Sequence, residues 1–78
     1  MKKAIVFTGP NWQWCDRVKD LLSGYFDVKA VDIVENITEL RAATSVQIRT
    51  VPQVVIDGVY VGGYAECEEY IKNEENLV

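Results

Sequence analysis

Thr8-Gly9-Pro10-Asn11-Trp12-Gln13-Trp14-Cys15 is the stretch on which the reading of this chain turns. Just before it, Ile5-Val6-Phe7 is a short apolar run of the kind that forms a buried strand, and Gly9-Pro10-Asn11 is a turn signal. From its end onward, Cys15, Val18, Leu21, Leu22 and Tyr25 recur at helical spacing. The chain therefore runs from a strand through a turn into a helix, with a cysteine and two tryptophans at the junction.

Working outward, the first strand is expected over Lys3 to Phe7 and the first helix over Trp14 to Leu22, ended by Gly24. Val28 to Ile33 reads as a second strand. Asn36-Ile37-Thr38-Glu39 has the spacing of a capping box, in which Asn36 accepts from the Glu39 amide while Glu39 reaches back, and a second helix carrying Ile37 and Leu40 follows. Val54-Val55-Ile56 and Val59-Tyr60-Val61 flank Asp57-Gly58, a two-residue hairpin signal because glycine accepts positive φ. Gly62-Gly63 closes the hairpin, and Cys67, Tyr70 and Ile71 at helical spacing predict a last helix, with Cys67 facing the core. The order βαβαββα predicts an α/β fold, and a chain of 78 residues has room for a single domain, spanning 1–78.

Composition narrows the function classes. With 49% apolar and 26% charged residues the chain has what a compact core needs, which argues against disorder. A net charge of -4, with acids crowded at Glu66, Glu68, Glu69, Glu74 and Glu75, disfavours nucleic acid and anionic membrane as partners. No apolar run approaches the roughly 18 residues of a membrane span. Met1-Lys2-Lys3 leads directly into a strand too short for a signal-peptide core, so a soluble, cytoplasmic monomer is expected. The two cysteines make no disulfide framework and are expected as thiols. Histidine is absent and no four ligands cluster, so no metal site is expected.

Three blocks carry a family resemblance: the loop ending in Cys15 with Lys19 four residues on, Arg49-Thr50-Val51-Pro52-Gln53-Val54-Val55-Ile56-Asp57-Gly58, and Val59-Tyr60-Val61-Gly62-Gly63-Tyr64. In this order, across nearly the whole chain, they resemble glutaredoxins. The resemblance implies a thioredoxin-like fold, a four-stranded mixed sheet flanked by helices, and glutathione-dependent thiol-disulfide exchange with glutathione as co-substrate. It also implies partners among glutathionylated or disulfide-containing proteins, such as ribonucleotide reductase. In that family the first block reads T-x-P-x-C-P-Y-C, with a lysine four residues past the second cysteine. Lys19 then assigns Cys15 to the second, resolving position and Trp12 to the first, attacking one. An alternative register takes Trp14-Cys15 as the opening W-C of a thioredoxin motif and puts Val18 at the second cysteine; it fits Lys19 less well.

What the resemblance implies for the site follows position by position. Thiol exchange needs a thiolate at the attacking place, and the indole of Trp12 has no group that replaces it. The dithiol cycle is therefore expected to be blocked at its first step. Cys15 lies about one turn deeper than the family's nucleophile, where the helix-end field that acidifies a thiol has faded. Trp14 stands at the tyrosine that borders the glutathione groove. Thr50, Val51 and Pro52 match the segment whose proline is cis and whose valine backbone pairs with glutathione. Gly63, Tyr64, Ala65 and Glu66 match, imperfectly, the segment whose amides hold the γ-glutamyl carboxylate. Arg49 is the remaining candidate for the glycine carboxylate. Two readings follow: an impaired glutaredoxin-like oxidoreductase in which Cys15 acts alone, and a non-catalytic scaffold that binds glutathione or a cysteine-containing peptide. The family's iron-sulfur ligation uses the first cysteine, so Trp12 argues against it.

Overall fold

In the computed structural model, which describes residues 1–10 and 12–77, alternation along two central strands divides the core in two. β1 (Lys3–Thr8) and β3 (Gln53–Ile56) lie at the centre of a four-stranded sheet of order β2-β1-β3-β4, with β2 (Asp27–Asp32) and β4 (Val59–Gly62) at its edges. β1 pairs parallel with β2 and antiparallel with β3, and β3 pairs antiparallel with β4. Successive strand side chains point to opposite faces. Ala4, Val6, Val54 and Ile56 accordingly pack on one side, against Val18 and Leu22 of α1 (Trp12–Ser23) and Cys67 of α3 (Tyr64–Lys72). Phe7 and Val55 pack on the other, against Leu40 of α2 (Ile37–Ala43). Phe7, Leu22 and Leu40 are among the largest fully buried side chains, and each stabilises the fold by roughly 1.5–3 kcal/mol relative to exposure. The architecture is thioredoxin-like, in the order βαβαββα that the sequence predicts, with a 3₁₀ turn over Glu74–Leu77 after α3.

The hairpin forms where Asp57-Gly58 places it. Both turn residues have positive φ, 51° and 79°, as a turn whose twist matches the strands requires. A register shift between Val54 and Val55 bends the start of the β3–β4 pairing.

Several boundaries differ from expectation. α1 begins at Trp12, not Trp14; Gln13 and Trp14 are exposed and Cys15 is buried, so the apolar period is readable only from Cys15 onward. It runs on to Ser23, whose hydroxyl donates to the Asp20 carbonyl at 3.0 Å. β1 extends to Thr8, and β2 starts and ends one residue earlier than read, at Asp27 and Asp32. Asn11, part of the expected turn, lies outside the described residues, as does the side chain of Trp12.

The capping box at Asn36 does not form: Asn36 makes no side-chain cap bond. Its amide nitrogen donates instead to the Asp32 carbonyl at 2.8 Å, while the Glu35 amide donates to Asp32 Oδ2 at 3.0 Å. Asp32, at the end of β2, thus organises the approach to α2 and holds the Asn36 side chain that the capping box would have used. Among the described residues no helix is long and apolar enough to cross a membrane.

Candidate functional site

The pairing of Phe7 with Gln53 puts the end of β1 beside the start of β3. The segments that leave those ends, Gly9-Pro10 and Thr50 to Pro52, therefore meet. A Cβ built on Gly9 would fall 3.2 Å from a methyl of Val51, so a glycine is what lets the loop lie this close. The Val51-Pro52 peptide is cis. On its other flank, the Cβ position of Gly63 is 3.5 Å from the Pro52 carbonyl oxygen, which brings the start of α3 against the same proline.

Cys15 is the fourth residue of α1 and is buried, 1% exposed. Cys67 on α3 is also a free thiol and fully buried in the α1–α3 core. Burial, and after it the charge of Glu66, pushes the Cys67 thiol up from 9.0 to about 12, which keeps it protonated and inert.

Trp14 and Tyr64 come together as a tilted aromatic pair, ring centroids 5.7 Å apart. The guanidinium of Arg17 sits 4.8 Å from the centre of the Trp14 ring, a cation–π contact at an indole that remains 41% exposed. Ala65 is exposed and offers no hydroxyl. Glu66 turns back on its own helix: its Oε1 accepts from the Gly63 amide at 2.8 Å. One of the amides expected to meet a ligand carboxylate is thus engaged by the chain's own acid.

Toward α2 the loop opens into a groove of about 980 Å³ whose walls include Pro10, Ile37, Arg41, Arg49, Thr50 and Val51. Arg49 lines this groove, with its guanidinium donating to Gln47 Oε1 at 3.0 Å. Trp14, Gly63, Tyr64 and Glu66 do not line this groove; they belong to the α1–α3 side, and the cis proline lies between the two groups.

Three contributors went unnoticed in the sequence. Arg41 adds a second cation to the groove from the last turn of α2. Gln53 and Tyr60 form a polar connection behind the cis proline, the Tyr60 hydroxyl donating to Gln53 Oε1 at 2.6 Å and Gln53 Nε2 donating to the Thr50 carbonyl at 2.9 Å. A glutamine at the first position of an apolar strand is the one signal that could have pointed to them, since a buried amide needs partners.

A family model described as glutaredoxin matches residues 4–61. The chain is 35% identical over 83 residues to a glutaredoxin of Haemophilus influenzae, with 95% of each chain covered. It is 30% identical over 86 residues to Glutaredoxin 1 of Escherichia coli, covering 96% of each. The solved structure of reduced Escherichia coli glutaredoxin superposes with a TM-score of 0.73 at 28% identity, over 94% of this chain and 98% of that one. With the family model matched over most of the chain's length and these relatives aligned nearly end to end, this chain belongs to the glutaredoxin family of thiol-disulfide oxidoreductases, whose members use glutathione as co-substrate.

Proposed function

We propose that this chain is a glutaredoxin whose groove binds glutathione, or the glutathionyl or cysteinyl part of a protein, while its dithiol cycle is interrupted at the first step. The observation that carries the reading is the Val51-Pro52 segment wedged between the Gly9 loop and Gly63, in a chain with no cysteine ahead of Cys15. In the family the attacking thiolate opens a disulfide by displacing its other sulfur as the leaving thiolate. Trp12 supplies no such group at that place. A single-cysteine cycle through Cys15 requires an accessible sulfur, and at 1% exposure Cys15 would have to be uncovered first. Its burial on the fourth residue of α1 also favours the register in which it stands at the second cysteine position.

Thr50, Val51 and Pro52 hold the cysteinyl part of the ligand, and Arg49, joined by Arg41, meets its glycine carboxylate. Trp14 and Tyr64 border the site, and the amides of Tyr64, Ala65 and Glu66 meet the γ-glutamyl end, the Gly63 amide being held by Glu66. The protein partners are glutathionylated or disulfide-containing chains, ribonucleotide reductase among the candidates. Two unpaired cysteines support a reducing, cytoplasmic setting.

The test is a titration with reduced and with oxidised glutathione to millimolar concentration, followed by tryptophan fluorescence and by the amide signals of Thr50, Val51 and residues 63 to 66. Both sets of signals should move, and should still move in Cys15→Ala. Silence in both would sink the reading; loss of binding in the alanine variant alone would return Cys15 to the centre of the chemistry.

A further inference from the structure

Among the described residues Gln53 is the buried polar side chain, 6% exposed. An amide is costly to bury unless its donors and its oxygen are all partnered. Here they are: Nε2 donates to the Thr50 carbonyl at 2.9 Å and to Thr50 Oγ1 at 3.2 Å, and Oε1 accepts from Tyr60 at 2.6 Å. The orientation is forced. The Thr50 carbonyl can only accept, so Nε2 must face it, which turns Oε1 to the Tyr60 hydroxyl. That hydroxyl is held protonated, since burial and then the Glu66 charge raise its pKa above 10.0, and it remains a donor across the physiological range.

The consequence reaches beyond satisfaction of a buried group. Tyr60 lies on β4, paired with Val55, whereas Thr50 precedes the cis proline and pairs with no strand. The sheet therefore does not fix the Thr50–Val51 backbone; the Gln53 amide does, and the hairpin strand fixes Gln53. We propose that Gln53 and Tyr60 are positioning residues for the groove: Gln53 clamps the Thr50 carbonyl so that the Val51 backbone meets a peptide-like ligand in one register, and Tyr60 acts only through Gln53. The proposal rests on the glutathione-groove reading for its ligand, but not for its structural core.

Tyr60→Phe removes the hydroxyl and keeps the ring. In the ligand-free protein the amide signals of Thr50 and Val51 should shift and exchange faster with solvent, and glutathione affinity should fall about fivefold, the worth of one neutral hydrogen bond. A second variant separates positioning from mere satisfaction. In Tyr60→Phe with Gln53→Leu no buried amide is left unpaired, so the melting temperature should recover toward that of the parent. The Thr50 carbonyl stays unclamped, so affinity should remain at least as weak as in the single variant. Affinity that recovers together with stability, or that never changes, overturns the proposal, as do unmoved Thr50 and Val51 signals. If the parent chain does not bind glutathione, the groove reading fails, and the ligand-free amide signals alone decide whether the clamp exists.

Discussion

Replacing Gly62 by alanine puts a methyl group where the structure has no room for one. The new Cβ would fall 2.9 Å from both Cγ and Oε1 of Glu66 and 3.1 Å from its Cβ. These are atoms near the root of the Glu66 side chain as well as its tip, so a rotation of the carboxylate does not relieve them. The backbone at this position has φ +126°, a region that side-chain-bearing residues rarely adopt and that costs of order 1–3 kcal/mol. Pushing Glu66 aside also breaks its 2.8 Å bond to the Gly63 amide, a helix cap worth about 1 kcal/mol. Together these amount to about 2–4 kcal/mol, against a total of about 4–12 kcal/mol for a domain of this size. At about 4–8 °C per kcal/mol, the melting temperature should drop by roughly 8–32 °C. Urea unfolding of the parent, Gly62→Ala, Glu66→Ala and the double variant measures the terms separately. Glu66→Ala should cost about 1 kcal/mol. The double variant should cost less than the sum of the singles, because the clash needs both side chains. A Gly62→Ala protein within about 1 kcal/mol of the parent, or singles that simply add, would refute the reasoning.

The remaining predictions concern pH and thiol chemistry. Cys67 is raised from 9.0 to about 12 and Tyr60 is raised above 10.0 in the folded chain, so between the unfolded and folded values the native state holds more protons than the unfolded one. These two groups should therefore leave stability unchanged below about pH 9 and lower it as pH rises beyond; urea midpoints that hold steady from about pH 9 to 11 would contradict this. A thiol reagent at neutral pH should label neither Cys15, 1% exposed, nor Cys67, 0% exposed, in the folded protein, and both once it is unfolded. Rapid native labelling of one equivalent, mapped to Cys15, would revive the single-cysteine cycle.

Much of the fold was legible because its signals are local. Ile5-Val6-Phe7, the Asp57-Gly58 turn and the apolar spacing from Cys15 to Leu22 each declare an element within a few residues, and each forms. Thr50-Val51-Pro52 stands at a cis bond, as the resemblance implies. What the sequence hid depends on competition or on distance. Asn36 has the right spacing for a cap, but the Asp32 carbonyl takes its side-chain amide instead, and periodicity does not reveal that contest. The start of α1 carries no apolar period because Gln13 and Trp14 are exposed, and exposed residues look like loop. Gln53 and Tyr60 are seven residues apart and meet only once the hairpin folds. Arg41 became part of the groove because α2 packs beside the segment that leads to the cis proline, a tertiary fact with no local mark.

We propose that a sound glutaredoxin scaffold carries Trp12 where its attacking cysteine would stand. A glutathione-coupled disulfide reduction assay, run on this chain beside its Trp12→Cys variant, tests it directly. The account predicts no turnover by the unaltered chain and a gain of orders of magnitude in the variant, in keeping with what a catalytic nucleophile contributes. Equal activity in both, or no gain on restoring the cysteine, would contradict it.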